Sequence, residues 1–227
     1  MYACQMVPLR PRERIIATAR ELFRKHGIRG IGVDAIAEAA GTNKMTLYRH
    51  FGSKDDLVVA CLRNGASEAD VIWAGFETDY PNDPMAQLHA WVRIGAECAL
   101  GDARGCDLLN AAVELAETGH PARHVIEKFK NEQRSRLVKL CADAGITDAE
   151  LLADSLYLLI EGARVSCQSV GTEGPGARFI AIAEATIAAF LHRSVAERPA
   201  RKYAAVRAAP IKKTSRNQTS RQPLPVR

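Results

Sequence analysis

The sequence predicts an all-α chain: a small N-terminal head of short helices followed by a longer helical body. Apolar residues recur at the spacing of one helix face in nearly every segment between residues 11 and 192, with little of the strict alternation of a strand. Clusters such as Pro81-Asn82-Asp83-Pro84, Gly119-His120-Pro121 and Gly145-Ile146-Thr147 punctuate those segments. Charge separates the parts, because residues 1–60 carry net +4, residues 61–192 net −8 and residues 193–227 net +9. A polyanionic partner is therefore expected at the ends of the chain and not along its middle.

In the head, Pro11 suits the first helical position, and Ile15, Ile16, Ala19, Leu22 and Phe23 follow on one face until Gly27. Val33, Ile36, Ala37 and Ala40 make a shorter second helix that Gly41 stops. Asn43 is a good N-cap for a third helix to about Phe51, whose narrow apolar stripe is Leu47 and Phe51. Lys44, Met45, Thr46, Tyr48, Arg49 and His50 share the rest of its surface. Two short helices joined by a tight glycine turn, the second rich in hydrogen-bonding side chains, form a helix-turn-helix pattern, whose second helix enters the DNA major groove. Ser53 and Asp56 make a capping-box-like start for a fourth helix, with Lys54 at its first position. A cation is disfavoured there by the macrodipole unless a phosphate docks on the same helix end.

The segment from Arg12 to about Leu62 closely resembles the DNA-binding domain of the tetracycline-repressor (TetR) family of bacterial regulators. The matching marks are A-x-x-L-F with Gly27, I-A-x-x-A-G at residues 36–41, T-L-Y at residues 46–48, then Phe51 and S-K-D-D-L. The resemblance implies that helix three reads double-stranded operator DNA, with Asn43, Lys44, Met45, Thr46, Tyr48 and His50 as contact candidates. It implies that Lys54 grips a phosphate, and that Leu47 and Phe51 are core. Three positions depart from the family pattern. Gly32 stands where Ser or Thr usually caps helix two, so contact there falls to backbone N–H. Met45 replaces a small residue or proline and offers an apolar surface to a thymine methyl. Arg49 replaces a common histidine and is either a phosphate contact or solvated.

The body is expected to hold helices near 55–77, 83–101, 105–118, 121–144, 148–170 and 176–192, with Thr147 and Glu150 as a capping box for the fifth of these. The segments LLADSLYLLIEGARVSC and ARFIAIAEATIAAFL are apolar around much of their circumference and must bury more than one face. Either an intramolecular core or a symmetry mate meets that need, and the resemblance implies a homodimer through the last two long helices, about 148–192. The expected organisation is thus a flexible N-terminus at 1–9, a helix-turn-helix DNA-binding domain at 10–54, a helical effector-binding and dimerisation domain at 55–192, and a disordered basic tail at 193–227.

The stretch RGCDLLNAAVELAETGHPARHV resembles one branch of the family in which the helix after R-G-C lines an effector cavity. The pocket candidates that follow are Trp91, Ile94, Cys98, Cys106 and Leu109, together with Asn110, Val113, Phe129, Tyr157 and Glu161. Apolar walls with a few polar anchors suit an unknown small-molecule effector, with Asn110 and Glu161 as anchors. Each apolar member also satisfies an ordinary core.

Other function classes find little support. The sequence contains no G-x-S-x-G, P-loop, dinucleotide fingerprint or H-E-x-x-H, which argues against an enzyme or a bound cofactor. His120 and His124 are four apart, but Pro121 makes His120 a cap, so no metal is expected. The six cysteines lack paired spacing and read as free thiols. No long apolar run or signal-like start occurs, so a cytoplasmic protein without a membrane partner is expected. The tail is either a solvated extension or a nonspecific phosphate attractor.

Overall fold

The computed structural model describes residues 9–101, 106–115, 117 and 119–195, with side chains described as far as His192, and its regular elements are all helical. They are α1 (Pro11–His26), α2 (Val33–Ala39), α3 (Lys44–Phe51), α4 (Lys54–Asp79), α5 (Pro84–Leu100), α6 (Asp107–Glu114), α7 (Pro121–Asp143), α8 (Ala149–Val170), a short 3-10 turn (Pro175–Arg178) and α9 (Phe179–Val195). None of the described helices is long and apolar enough to cross a membrane.

Three apolar cores order these helices. In the head, Ile15, Ile16 and Ala19 of α1 meet Ile36, Ala37 and Ala40 at α2, and Leu47 and Phe51 of α3 close over them. These are the stripes that the helical period predicts. Gly41 turns between α2 and α3 with φ of 61°, a left-handed conformation that side chains with a Cβ resist. Arg14 donates from Nε to the Ala40 carbonyl at 2.8 Å, satisfying the end of α2.

α4 is the structural surprise of the head. It is one unbroken helix of 26 residues, and its first turns face two ways. Leu57 and Cys61 complete the head core. Val58 and Leu62 instead join Ile28 with Leu108, Ala111 and Leu115 around α6, and Ala122 and Ile126 of α7, in a junction core. The expected domain boundary at residues 54 and 55 therefore falls at the start of a helix that belongs to both sides.

The body core is built from α5, α7, α8 and α9, with Leu88, Val92, Leu137, Leu152, Leu156 and Ile187 all essentially inaccessible. Two expectations need correction here. α6 spans only Asp107–Glu114 and not 105–118, because Leu115 leaves helical geometry to bury itself in the junction core. Arg104, Gly105, Ala116 and Thr118 lie outside the described residues. The Thr147 and Glu150 capping box also does not form the start of α8, where Asp148 occupies the cap position without a side-chain cap hydrogen bond. The Gly145 turn delivers Ile146 into the core, with its amide on the Cys141 carbonyl at 3.1 Å, and that packing sets the helix start one residue later. Of the flexible N-terminus expected at 1–9, residues 1–8 lie outside the described residues; of the disordered tail expected at 193–227, residues 193–195 instead form the last turn of α9, and residues 196–227 lie outside the described residues.

Candidate functional site

Three surfaces of the chain bear on function: the outer face of α3, a cavity in the body, and the outer faces of α8 and α9.

α3 is short but well determined. Asn43 caps it by accepting the Thr46 amide at 2.9 Å, and Gly52 ends it. Because Leu47 and Phe51 are buried, the rest of the helix must face outward. Lys44, Met45, Arg49 and His50 are exposed, Thr46 and Tyr48 are half-buried, and Asn43 is exposed at the helix start. Met45 is 80% exposed, the most exposed of the large apolar side chains described. Gly32 occupies the N-cap position of α2 without a side-chain cap, as its composition requires.

Two partners of these residues could not be read from the sequence. Lys44 pairs through Nζ with the Asp34 carboxylate on α2 at 3.0 Å, which favours its charged form chiefly through that hydrogen bond. Lys54 donates from Nζ to the Ile31 carbonyl at 2.6 Å, tying the start of α4 to the loop before α2. Both lysines are thus already positioned by the protein. Ser53 caps α4 by accepting the Asp56 amide at 3.0 Å, and its hydroxyl donates to the Asp56 carboxylate at 2.6 Å.

The body contains a cavity of about 110 Å³ between α4, α5, α7 and α8. Of the sequence-derived candidates, Trp91, Ile94, Cys98, Cys106, Phe129, Tyr157 and Glu161 come together on its wall. Leu109, Asn110 and Val113 do not. Val113 is 77% exposed on the opposite side of α6, and Asn110 instead accepts a hydrogen bond from Gln168 at 3.4 Å. The reason lies in α6 itself: Leu108, Ala111 and Leu115 are the positions turned inward, which sends Val113 outward. The wall also includes Trp73, Phe76, Lys130, Gln133 and Arg164, which the sequence did not single out. Arg164, the single basic residue of α8 and three residues from Glu161, was the available signal.

Polar contacts in this cavity are specific. Glu161 accepts from Lys130 Nζ at 2.7 Å and from Arg164 Nη1 at 3.0 Å, occupying both carboxylate oxygens. Trp73 donates from Nε1 to Gln133 at 2.7 Å. Burial, reinforced by the neighbouring Glu161, pushes the Tyr157 hydroxyl well above the usual phenol range, so it stays protonated. Partial desolvation also raises the Cys98 thiol, although the residue as a whole is exposed.

α6 links this cavity to the head. Cys106 lies on the cavity wall, and the adjacent Asp107 holds Arg20 at 3.0 Å and Arg24 at 2.5 Å, both on α1. Arg20 also bonds Asn64 at 2.6 Å and pairs with Glu68 on α4. At the other end of α6, Glu114 accepts the amides of Ile28 at 2.8 Å and Arg29 at 2.6 Å, and Arg29 pairs with Glu117. His120 caps α7 by accepting the Ala122 amide at 3.1 Å and lies 3.5 Å from Asp55. Among the described residues no group of three potential metal ligands gathers.

The outer face of α8 carries Leu151, Ser155, Leu158, Gly162, Val165 and Ser169 at alternating four- and three-residue steps. Leu158 is 72% exposed within the single chain. A Cβ at Gly162 would meet nothing within 4 Å. On α9, Ile180 and Ile182 are also exposed.

The pattern described as "Bacterial regulatory proteins, tetR family" matches residues 15–61. The transcriptional repressor AcnR of Corynebacterium glutamicum is 35% identical over 66 residues, covering 29% of this chain and 35% of that protein. The chain thus spans about a third of that relative's length. The transcriptional regulator AcrR of Shigella flexneri is 22% identical over 157 residues, covering 66% of this chain and 73% of that protein. A TetR-family transcriptional regulator from Streptomyces coelicolor superposes with a TM-score of 0.74 and 26% identity, covering 79% of this chain and 95% of that one.

Proposed function

Because the chain belongs to the tetR family of bacterial DNA-binding transcriptional regulators, we propose that it is a dimeric one-component repressor released from a pseudo-palindromic operator by a small molecule. The observation that carries this reading is the division of α3 into a buried stripe, Leu47 and Phe51, and an exposed face of basic and hydrogen-bonding side chains. Asn43, Lys44, Met45, Thr46, Tyr48 and His50 meet base edges and backbone in the major groove, and Arg49 meets phosphate. Gly32 offers a backbone N–H and Lys54 an ammonium to phosphates on either side.

Dimerisation uses the exposed apolar faces of α8 and α9, which an isolated chain leaves against water. Two α3 helices then enter successive major grooves about 34 Å apart, or a multiple of that spacing. The effector occupies the cavity between α4, α5, α7 and α8. Its arrival displaces the start of α6 at Cys106, and Asp107 and Glu114 pass that displacement to α1 and to the loop at Ile28 and Arg29. A coupling of roughly 1–3 kcal/mol changes operator occupancy tenfold or more.

Control by a protein partner, or action as a nucleoid-associated protein, without a small-molecule effector is the alternative, and a fully packed body would favour it. The cavity counts against it. The test is selection of bound fragments from the source genome by purified protein at moderate salt. Enriched fragments sharing an inverted repeat are expected, and no preference over bulk DNA refutes the proposal.

A further inference from the structure

The size, walls and charge balance of the cavity restrict its ligand. An apolar cavity of about 150 Å³ accommodates benzene. At about 110 Å³, with the exposed Cys98 on its wall, this one is on the scale of a single ring. The rings of Trp73, Trp91, Phe129 and Tyr157 offer faces and edges to a flat aromatic body.

The charges leave one need unmet. Lys130 and Arg164 contribute two positive charges against the single carboxylate of Glu161, and both oxygens of that carboxylate are engaged. The Arg164 side chain is largely buried, and its Nε has no hydrogen-bond partner. A buried charged donor without an acceptor is costly, whereas a hydrogen bond to an ionised acceptor is among the stronger ones. A neutral or cationic ligand leaves the excess charge uncompensated.

We propose that this cavity selects a single-ring aromatic carboxylate, its ring among Trp73, Trp91 and Tyr157 and its carboxylate facing the Lys130 and Arg164 cations. The assignment rests on the reading of the cavity as the effector site. Lys130 lies over the Tyr157 ring at 5.6 Å and keeps the ammonium on the same side, so the anionic end of the ligand points toward α7 and α8. The aromatic end lies toward α4 and α5.

The test is a titration of the full chain with benzoate, benzyl alcohol, benzylamine and 1-naphthoate, followed by tryptophan fluorescence and thermal shift. Benzoate is expected to bind at least tenfold more tightly than the other three, and Arg164→Met to lose at least tenfold in benzoate affinity and with it the preference over benzyl alcohol. The comparison of the four probes on the unmodified protein stands even where the variant does not fold. Equal or tighter binding of the alcohol or the amine overturns the anion assignment, and tighter binding of naphthoate overturns the single-ring assignment. Binding by none of the probes also overturns the proposal. The effector reading itself falls on a separate result, failure of a low-molecular-weight extract of the source cells to displace the protein from its selected DNA.

Discussion

Gly162 gives a decisive test of how two copies associate. Glycine in the middle of a helix is less favourable than alanine by about 1 kcal/mol. Inside this chain nothing requires it, since an added Cβ would have open space around it. It sits between Leu158 and Val165, both exposed on the outer face of α8. In the proposed dimer, its absence of a side chain lets a second α8 approach closely. Gly162→Leu should leave the single chain folded and its helix content unchanged. Overpacking costs roughly 1–3 kcal/mol per site, and a twofold interface contains the site twice, so the dimer should weaken by about 2–6 kcal/mol. At about 1.4 kcal/mol per tenfold, the dissociation constant rises roughly 30-fold to 20,000-fold. Sedimentation velocity over a dilution series reads this directly. A Gly162→Leu protein that dissociates at the same concentration as the parent refutes the placement of the interface on this face.

Other outcomes follow from the contacts. Lys44→Ala and Tyr48→Phe should each weaken operator binding with unchanged circular dichroism, and Lys54→Ala should weaken all DNA sequences alike and reduce the salt slope by about one unit in fluorescence anisotropy titrations. Glu114→Ala strips the amides of Ile28 and Arg29 of their acceptor, and should cost about 1–3 kcal/mol in urea unfolding. Burial pushes the Cys61 thiol up to about 12 from its ordinary 9.0. The unfolded chain then releases this proton first as pH rises, so the contribution is intact below pH 9 and lost between pH 9 and about 12. A slope of about 1.4 kcal/mol per pH unit in that window, diminished in Cys61→Ala, is the expected unfolding result.

The head was almost wholly legible because its signals are local. Gly41 makes a turn, Asn43 caps, and Leu47 and Phe51 fall four apart, so each feature is read within one helical turn of itself. The cavity was legible where a residue belongs to a long helix, as Trp91, Tyr157 and Glu161 do. It was not legible in α6, where DLLNAAVEL offers two apolar stripes and nothing local says which one the rest of the fold requires. The ion pairs of Asp107 with the head and the hydrogen bonds of its backbone amides to Glu114 join residues more than 80 positions apart, and no periodicity encodes such contacts. Asp34, partner of Lys44, was missed for the same reason at shorter range.

The divided first turns of α4 also limit how this protein can be taken apart. A fragment ending near Leu62 would retain its own small core but bare Val58, Leu62 and Ile28, the surface that α6 and α7 now cover. It would also leave Arg20 and Arg24 without Asp107. Grafting this reader onto the body of another regulator therefore cannot be a cut at the start of α4. The donor segment must carry α4, and the recipient must supply an acidic residue and an apolar ledge where α6 stands, which makes the junction and not the reading helix the determinant of portability.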